Sequence, residues 1–171
     1  MKKVVLSFLI LLGILKAGSL NGYVDGVSLS VGESRDGIKI YRLSLRQDYN
    51  SKWLQSSIGY LSGYVEGSFN YFKGKENSIY GVALSPVFAY YFDMGDFKPF
   101  IEAGIGISYF NKHQIDSRNL STNFLFEDRI GVGARYKNFE FSFRFMHYSN
   151  ASIKQPNDGI DIWIAAVSYK F

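Results

Sequence analysis

Alternation of apolar and polar residues with a period of two, repeated segment after segment, constrains this chain more than any other feature. In Phe139-Glu140-Phe141-Ser142-Phe143-Arg144-Phe145-Met146 every odd position is Phe, and the even ones are mostly polar. Residues two apart on an extended chain share a face, so the run reads as a strand with one apolar and one polar side. Ile101 to Tyr109 sets Ile101, Ala103, Ile105, Ile107 and Tyr109 against Glu102, Gly104, Gly106 and Ser108. Phe124 to Tyr136 sets Phe124, Phe126, Ile130, Val132, Ala134 and Tyr136 against Leu125, Glu127, Arg129, Gly131, Gly133 and Arg135, with Asp128 breaking the apolar row. The closing segment opposes Trp163, Ala165, Val167, Tyr169 and Phe171 to Ile162, Ile164, Ala166, Ser168 and Lys170. Four earlier segments fit less cleanly, at about Tyr23 to Val31, Ile38 to Gln47, Trp53 to Ser68 and Ser78 to Phe92. Pro86 sits awkwardly in the last of these because it cannot donate to a sheet ladder.

That makes eight segments of roughly 9 to 16 residues, longer than the usual soluble strand and long enough to cross a bilayer at a tilt. A soluble barrel points its apolar rows inward, whereas a membrane barrel turns them to lipid and packs polar residues in a small lumen. Strand length favours the membrane. So do aromatics at segment ends, such as Tyr90, Tyr91 and Phe92, and a chain that closes on Phe171 after alternating aromatics. The expected fold is all-β, an eight-stranded antiparallel transmembrane β-barrel. A soluble periplasmic binding barrel is the rival architecture.

The N-terminus fits export. Met1-Lys2-Lys3 is followed by the apolar run Val4 to Leu15 and by Ala17 and Ser19, the pattern of a signal peptide over residues 1–19, leaving the barrel to 20–171. Loss of the leader removes Lys2, Lys3 and Lys16 and no acid, so 16 basic side chains face 15 acidic ones. With a mature charge near neutral there is no footprint for nucleic acid. The chain has no cysteine, so disulfides and thiolate metal sites are excluded, and only His113 and His147 offer imidazoles.

Turn lengths orient the barrel. The connections Asp93 to Asp96 and Lys137-Asn138 are short and belong on the periplasmic side. Asn111 to Asn119 and Asn150 to Ile160 are longer and belong outside. The segment from Phe139 then runs outward. Continuing its Phe row brings His147 and Ser149 onto the same lipid-facing side, and Asp161 shares the parity of Trp163 across the next connection. Three polar groups facing lipid need partners. A nucleophile with a base answers that need: His147 can take the proton of Ser149, and Asp161 can hold the imidazole. Asn150 carries an amide able to donate to an oxyanion. Read blandly, His-x-Ser is only a polar rim, and His113 is a solvated loop residue.

His147-Tyr148-Ser149-Asn150-Ala151 and Lys154-Gln155-Pro156-Asn157-Asp158-Gly159-Ile160 resemble the C-terminal signature of the outer-membrane lipid A 3-O-deacylases, also grouped as acyloxyacyl hydrolase-like proteins. Weaker echoes are Gly63 to Gly67 and Glu127 to Gly133. The resemblance implies an eight-stranded barrel in the bacterial outer membrane, a serine esterase that removes the 3-position acyl chain of lipid A. It implies a Ser-His-acid triad at Ser149, His147 and Asp161, and an oxyanion residue at Asn150. The family usually has Glu where Asp161 stands, and Gly where Ser152 stands. No metal or cofactor is required. The implied partners are lipid A, or lipopolysaccharide, and outer-membrane lipid, with a homodimer left open, and Lys154 is a candidate phosphate contact. The rival of another class is a non-catalytic barrel with a structural or adhesive role.

Overall fold

The computed structural model describes residues 22–171, so the leader read at 1–19 lies outside the described residues. Ten strands are present: β1 (Gly26–Ser34), β2 (Lys39–Asp48), β3 (Gly59–Lys73), β4 (Ser78–Phe92), β5 (Phe97–Phe110), β6 (Gln114–Ile115), β7 (Arg118–Asn119), β8 (Phe124–Tyr136), β9 (Phe139–Ser149) and β10 (Ile160–Lys170). Eight of them close into one antiparallel barrel in the order β1-β10-β9-β8-β5-β4-β3-β2, while β6 and β7 form a small hairpin in the β5–β8 connection. Closure by the β1–β10 pairing, Gly26 opposite Lys170 through Ser34 opposite Ile162, leaves no free edge. That is what a sheet in hydrocarbon requires, because lipid offers no hydrogen bonds to an unpaired backbone.

The parity of the sequence is kept. Ile101, Ile105, Ile107, Ile130, Val132, Phe139, Phe141, Phe143 and Trp163 are exposed on the outer wall, whereas Glu102, Glu127, Arg129, Glu140 and Arg144 are buried inside. The segments near Gly63 and Glu127 meet in one lumenal network. Arg42 bonds Glu66 and Glu127 at 2.7 Å each. Arg129 bridges the same two carboxylates at 2.8 and 2.7 Å. Arg144 pairs with Glu102 at 2.5 Å, and the Tyr148 hydroxyl donates to Glu127 at 2.8 Å. A second pairing, Arg46 with Glu140, lies nearer the chain termini. At the opposite end the lumen is apolar, filled by Ile40, Phe72, Ile79, Phe110 and Met146, and covered by Ile115 and Leu120 from the β5–β8 connection. Buried side chains therefore fill the lumen from the ion cluster to the apolar end.

One segment boundary needs correction. Trp53 is not in a strand, because the β2–β3 connection occupies 49–58, making a long connection on the side expected to hold only short ones. Leu54 turns the chain with φ 48, and the Trp53 ring packs on Tyr49 and Phe88 at 5.9 and 6.3 Å. Pro86 does lie inside β4, paired with Val65 of β3. On the β5 side the ladder skips Ser85 and Pro86, which is how a residue without N–H is tolerated in mid-strand.

Removing one member of a buried ion cluster strands its partners. Glu127→Ala is expected to cost about 3–5 kcal/mol on that account, whereas Phe143→Ala on the lipid face should cost far less. Urea unfolding in detergent micelles, read by the shift of the folded band on unheated gels, checks the contrast.

Candidate active site

Strand register puts the candidate residues in rows. His147 of β9 lies directly opposite Asp161 of β10 on one side and Asp128 of β8 on the other, so one imidazole stands between two carboxyl-bearing positions. Both neighbours of His147 in sequence, Met146 and Tyr148, point into the lumen and are fully buried. His147 and Asp161 are on the outer wall, with 38% and 59% of their side chains exposed, and His147 Nδ1 is 2.6 Å from Asp161 Oδ1. Aspartate, one methylene shorter than the glutamate common in the resembling family, reaches the ring because the register places the two backbones face to face.

Ser149, two residues further along the same face, lies opposite Phe126 and is largely buried, at 8% exposure. Among the described residues no hydrogen bond joins it to His147. Such bonds commonly tighten only with substrate in place. The free edge of the imidazole faces Gly159, where a Cβ would lie 3.0 Å from Cε1 and 3.6 Å from Nε2. Gly159 also has φ 59, so both ring space and backbone geometry ask for glycine there.

Asn150, the expected oxyanion donor, is hydrogen-bonded within its turn. Its Nδ2 already donates to the carbonyls of Leu120 and Lys154, each at 2.8 Å, and its backbone N–H donates to Asn157 Oδ1 at 3.1 Å. The amide fastens the β9–β10 turn to the β5–β8 connection and has no hydrogen left for a substrate. Ala151 and Ser152 follow with φ 50 and 61, and among the described residues their N–H groups have no acceptor. These two amides follow Ser149 by two and three residues.

The neighbouring connection clamps this turn. Arg118 of β7 donates to the carbonyls of Asp158 and Gly159 at 3.0 and 2.7 Å and also bonds Asp36, and the Asn119 N–H donates to Asp158 Oδ2 at 2.6 Å. The hydrogen bond from Arg118 holds the Asp36 carboxyl below its ordinary range. Asp116 reaches across to accept from the backbone of Lys75 and Glu76 at 2.9 and 3.0 Å, and these bonds lower its pKa. His113 is exposed, bonded through Nδ1 to Asn123 at 3.2 Å, and stands apart from the His147 row. Lys154 is exposed and contributes only its carbonyl to the turn. Among the described residues no three His, Asp or Glu side chains are grouped to hold a metal.

Against His147 on the lipid side lies an apolar hollow of about 670 Å³, walled by Pro86, Phe88, Ile105, Ile130 and Phe145, with Asp128 at its rim. In sequence Asp128 showed only as a break in an apolar row. Its place beside His147 follows from the β8–β9 register, which no single segment reveals.

A family model described as lipid A 3-O-deacylase (PagL) matches residues 39–170. The chain is 41% identical over 138 residues to the lipid A deacylase PagL of Pseudomonas aeruginosa, covering 79% of this chain and 80% of that protein. It is 37% identical over 73 residues to the lipid A deacylase PagL of Bordetella bronchiseptica, covering 42% and 41%. The crystal structure of the outer membrane enzyme PagL superposes with a TM-score of 0.83 at 38% identity, covering 85% of this chain and 99% of that one.

Two turn substitutions should move stability in opposite directions. Ser152→Gly removes a left-handed non-glycine residue and is expected to stabilise by about 0.5–1 kcal/mol, while Gly159→Ala should destabilise by about 1–2 kcal/mol. Thermal melts in detergent read both. The Asp116 lock has a pH sense as well. A depressed folded-state pKa gives stability that is present above the ordinary carboxylate range and lost as pH falls through the lowered value. Proteolysis of the β3–β4 and β5–β8 connections should therefore speed up in acid for the native chain, and be fast at neutral pH for Asp116→Asn.

Proposed function

The chain belongs to the lipid A 3-O-deacylase (PagL) family, and from that premise we propose that Ser149, His147 and Asp161 carry out the hydrolysis at the outer rim of the barrel. It is a lipid A deacylase, an ester hydrolase of the outer membrane. The His147–Asp161 contact at 2.6 Å on the lipid-facing wall, at the mouth of an apolar hollow, is the observation that supports the assignment best.

Lipid A lies in the outer leaflet, so an outward-facing site at the head-group level meets its substrate without extracting it. The acyl chain lies in the hollow of Phe88, Ile105, Ile130 and Phe145, where aliphatic contacts replace those with neighbouring lipid. Asp128 at the rim can accept a hydrogen bond from a substrate hydroxyl. Ser149 Oγ attacks the ester carbonyl as its proton passes to His147 Nε2. Asp161 keeps the Nδ1–H tautomer and stabilises the imidazolium. The N–H groups of Ala151 and Ser152 receive the oxyanion, with Asn150 holding their turn in place rather than donating itself. Collapse of the tetrahedral adduct breaks the ester C–O bond, and His147 returns the proton to the departing sugar oxygen. Water, deprotonated by His147, then attacks the acyl-serine, frees the fatty acid and restores Ser149.

Mass spectrometry of lipid A from cells expressing the chain tests this. The native chain should remove one ester-linked hydroxyacyl group. Ser149→Ala and His147→Ala should abolish the loss, and Asp161→Asn should slow it by about a thousandfold or more, as for a wrongly held tautomer. Full activity of Ser149→Ala would sink the assignment, and unchanged lipid A with the native chain would favour the non-catalytic barrel.

A further inference from the structure

On the barrel wall away from His147, β2 and β3 present a second column that the hydrolysis does not use. Lys39 and Lys73 lie directly opposite each other at the site end of the barrel, both exposed on the outer face. Like charges paired across strands are destabilising unless something answers them. Glu33 of β1 stands across from Lys39, but among the described residues neither ammonium is ion-paired. One step further into the membrane Tyr41 faces Tyr71 with ring centroids 6.3 Å apart, and below them Leu43 faces Phe69. Further down, Leu45 lies opposite Gly67, and a hollow of about 440 Å³ opens among Leu43, Leu45, Val65, Phe69 and Val82. At Gly67 a Cβ would meet nothing within 4 Å, so the absent side chain leaves open space.

From top to bottom the column offers cations, then aromatic rings, then an apolar recess, the order of a phosphorylated lipid in the outer leaflet. We propose that the β2–β3 face is a non-catalytic binding site for a phosphorylated glycolipid of the lipid A class, with phosphate between Lys39 and Lys73 and an acyl chain over Gly67. One strand, β1, lies between β2 and the β10 that carries Asp161, which puts Lys39 about 10 Å around the wall at the usual strand spacing, and the acyl hollow beside His147 lies on the other side of Asp161, among β4, β5, β8 and β9, so the column lies outside the cleavage site. The proposal shares with the functional reading only the direction in which the barrel faces.

The test uses the Ser149→Ala chain purified in detergent micelles and titrated with bisphosphorylated lipid A, with bound lipids counted by native mass spectrometry. Two lipids per chain are expected. Lys39→Gln with Lys73→Gln should weaken one of the two by about 10- to 30-fold, as expected for two phosphate-facing lysines at a membrane surface. Gly67→Leu, whose Cβ enters open space, should weaken the same one, and dephosphorylated lipid A should bind there no better than the double variant binds the phosphorylated form. With Ser149 intact, hydrolysis by the lysine and Gly67 variants should stay within about twofold of the native rate, and unheated gels confirm that each is folded. Binding that the double variant leaves unchanged at every site, or equal binding of the dephosphorylated lipid, would overturn the proposal. Loss of hydrolysis in the folded lysine variant would also overturn it, by placing the lysines at the cleaved substrate. The count needs no turnover, so a native chain that releases no fatty acid bears on the hydrolase assignment alone.

Discussion

Every backbone N–H and C=O inside a bilayer must find its partner within the protein, and for strands that demand is met only by closing the sheet. Pairing β1 with β10 completes the ring and thereby fixes two faces, a wall against lipid and a lumen of limited volume. Side-chain direction has no freedom after that. Each odd or even position is committed to hydrocarbon or to the interior for the length of its strand.

The interior then determines where chemistry can occur. Arg42, Glu66, Glu127 and Arg129 neutralise one another in mid-lumen, and the apolar plug of Phe72, Phe110, Leu120 and Met146 seals the end where the proposed site lies. Nothing the size of a lipid can enter. The remaining place for a polar cluster to meet substrate is the outer wall, where His147 and Asp161 sit between the apolar belt and the rim. There the lipid-facing penalty on polar groups is reduced by their mutual hydrogen bond and by the nearness of water. The clamp from Arg118 and Asn150 holds the β9–β10 turn against this wall, so a site at the barrel's margin is built on a braced loop.

The same geometry explains which parts of the chain could be understood one residue at a time. The Phe row from 139 to 145 extends to His147 and Ser149 by simple alternation, so their outward direction was legible. Asp161 followed from its own strand's parity. Asn150 was legible as a turn residue but its task was not, since both amide hydrogens go to carbonyls from distant or later residues, Leu120 and Lys154. Trp53 misled because its aromatic neighbourhood resembles a strand, while its ring packs sideways on Phe88 from a connection.

Alternation is a local property, written residue by residue, and it determined the number of barrel strands and the shared face of His147, Ser149 and Asp161, while strand length and aromatics at the segment ends added the membrane placement. Register is not local. Which residue lies across from which depends on closure, strand tilt and the packing of distant side chains, and a shift of one residue would reverse every face. Only the folded barrel could therefore decide that Asp161 touches His147 at 2.6 Å, that Asp128 flanks it, that Lys39 confronts Lys73, and that Asn150 is spent on holding a turn.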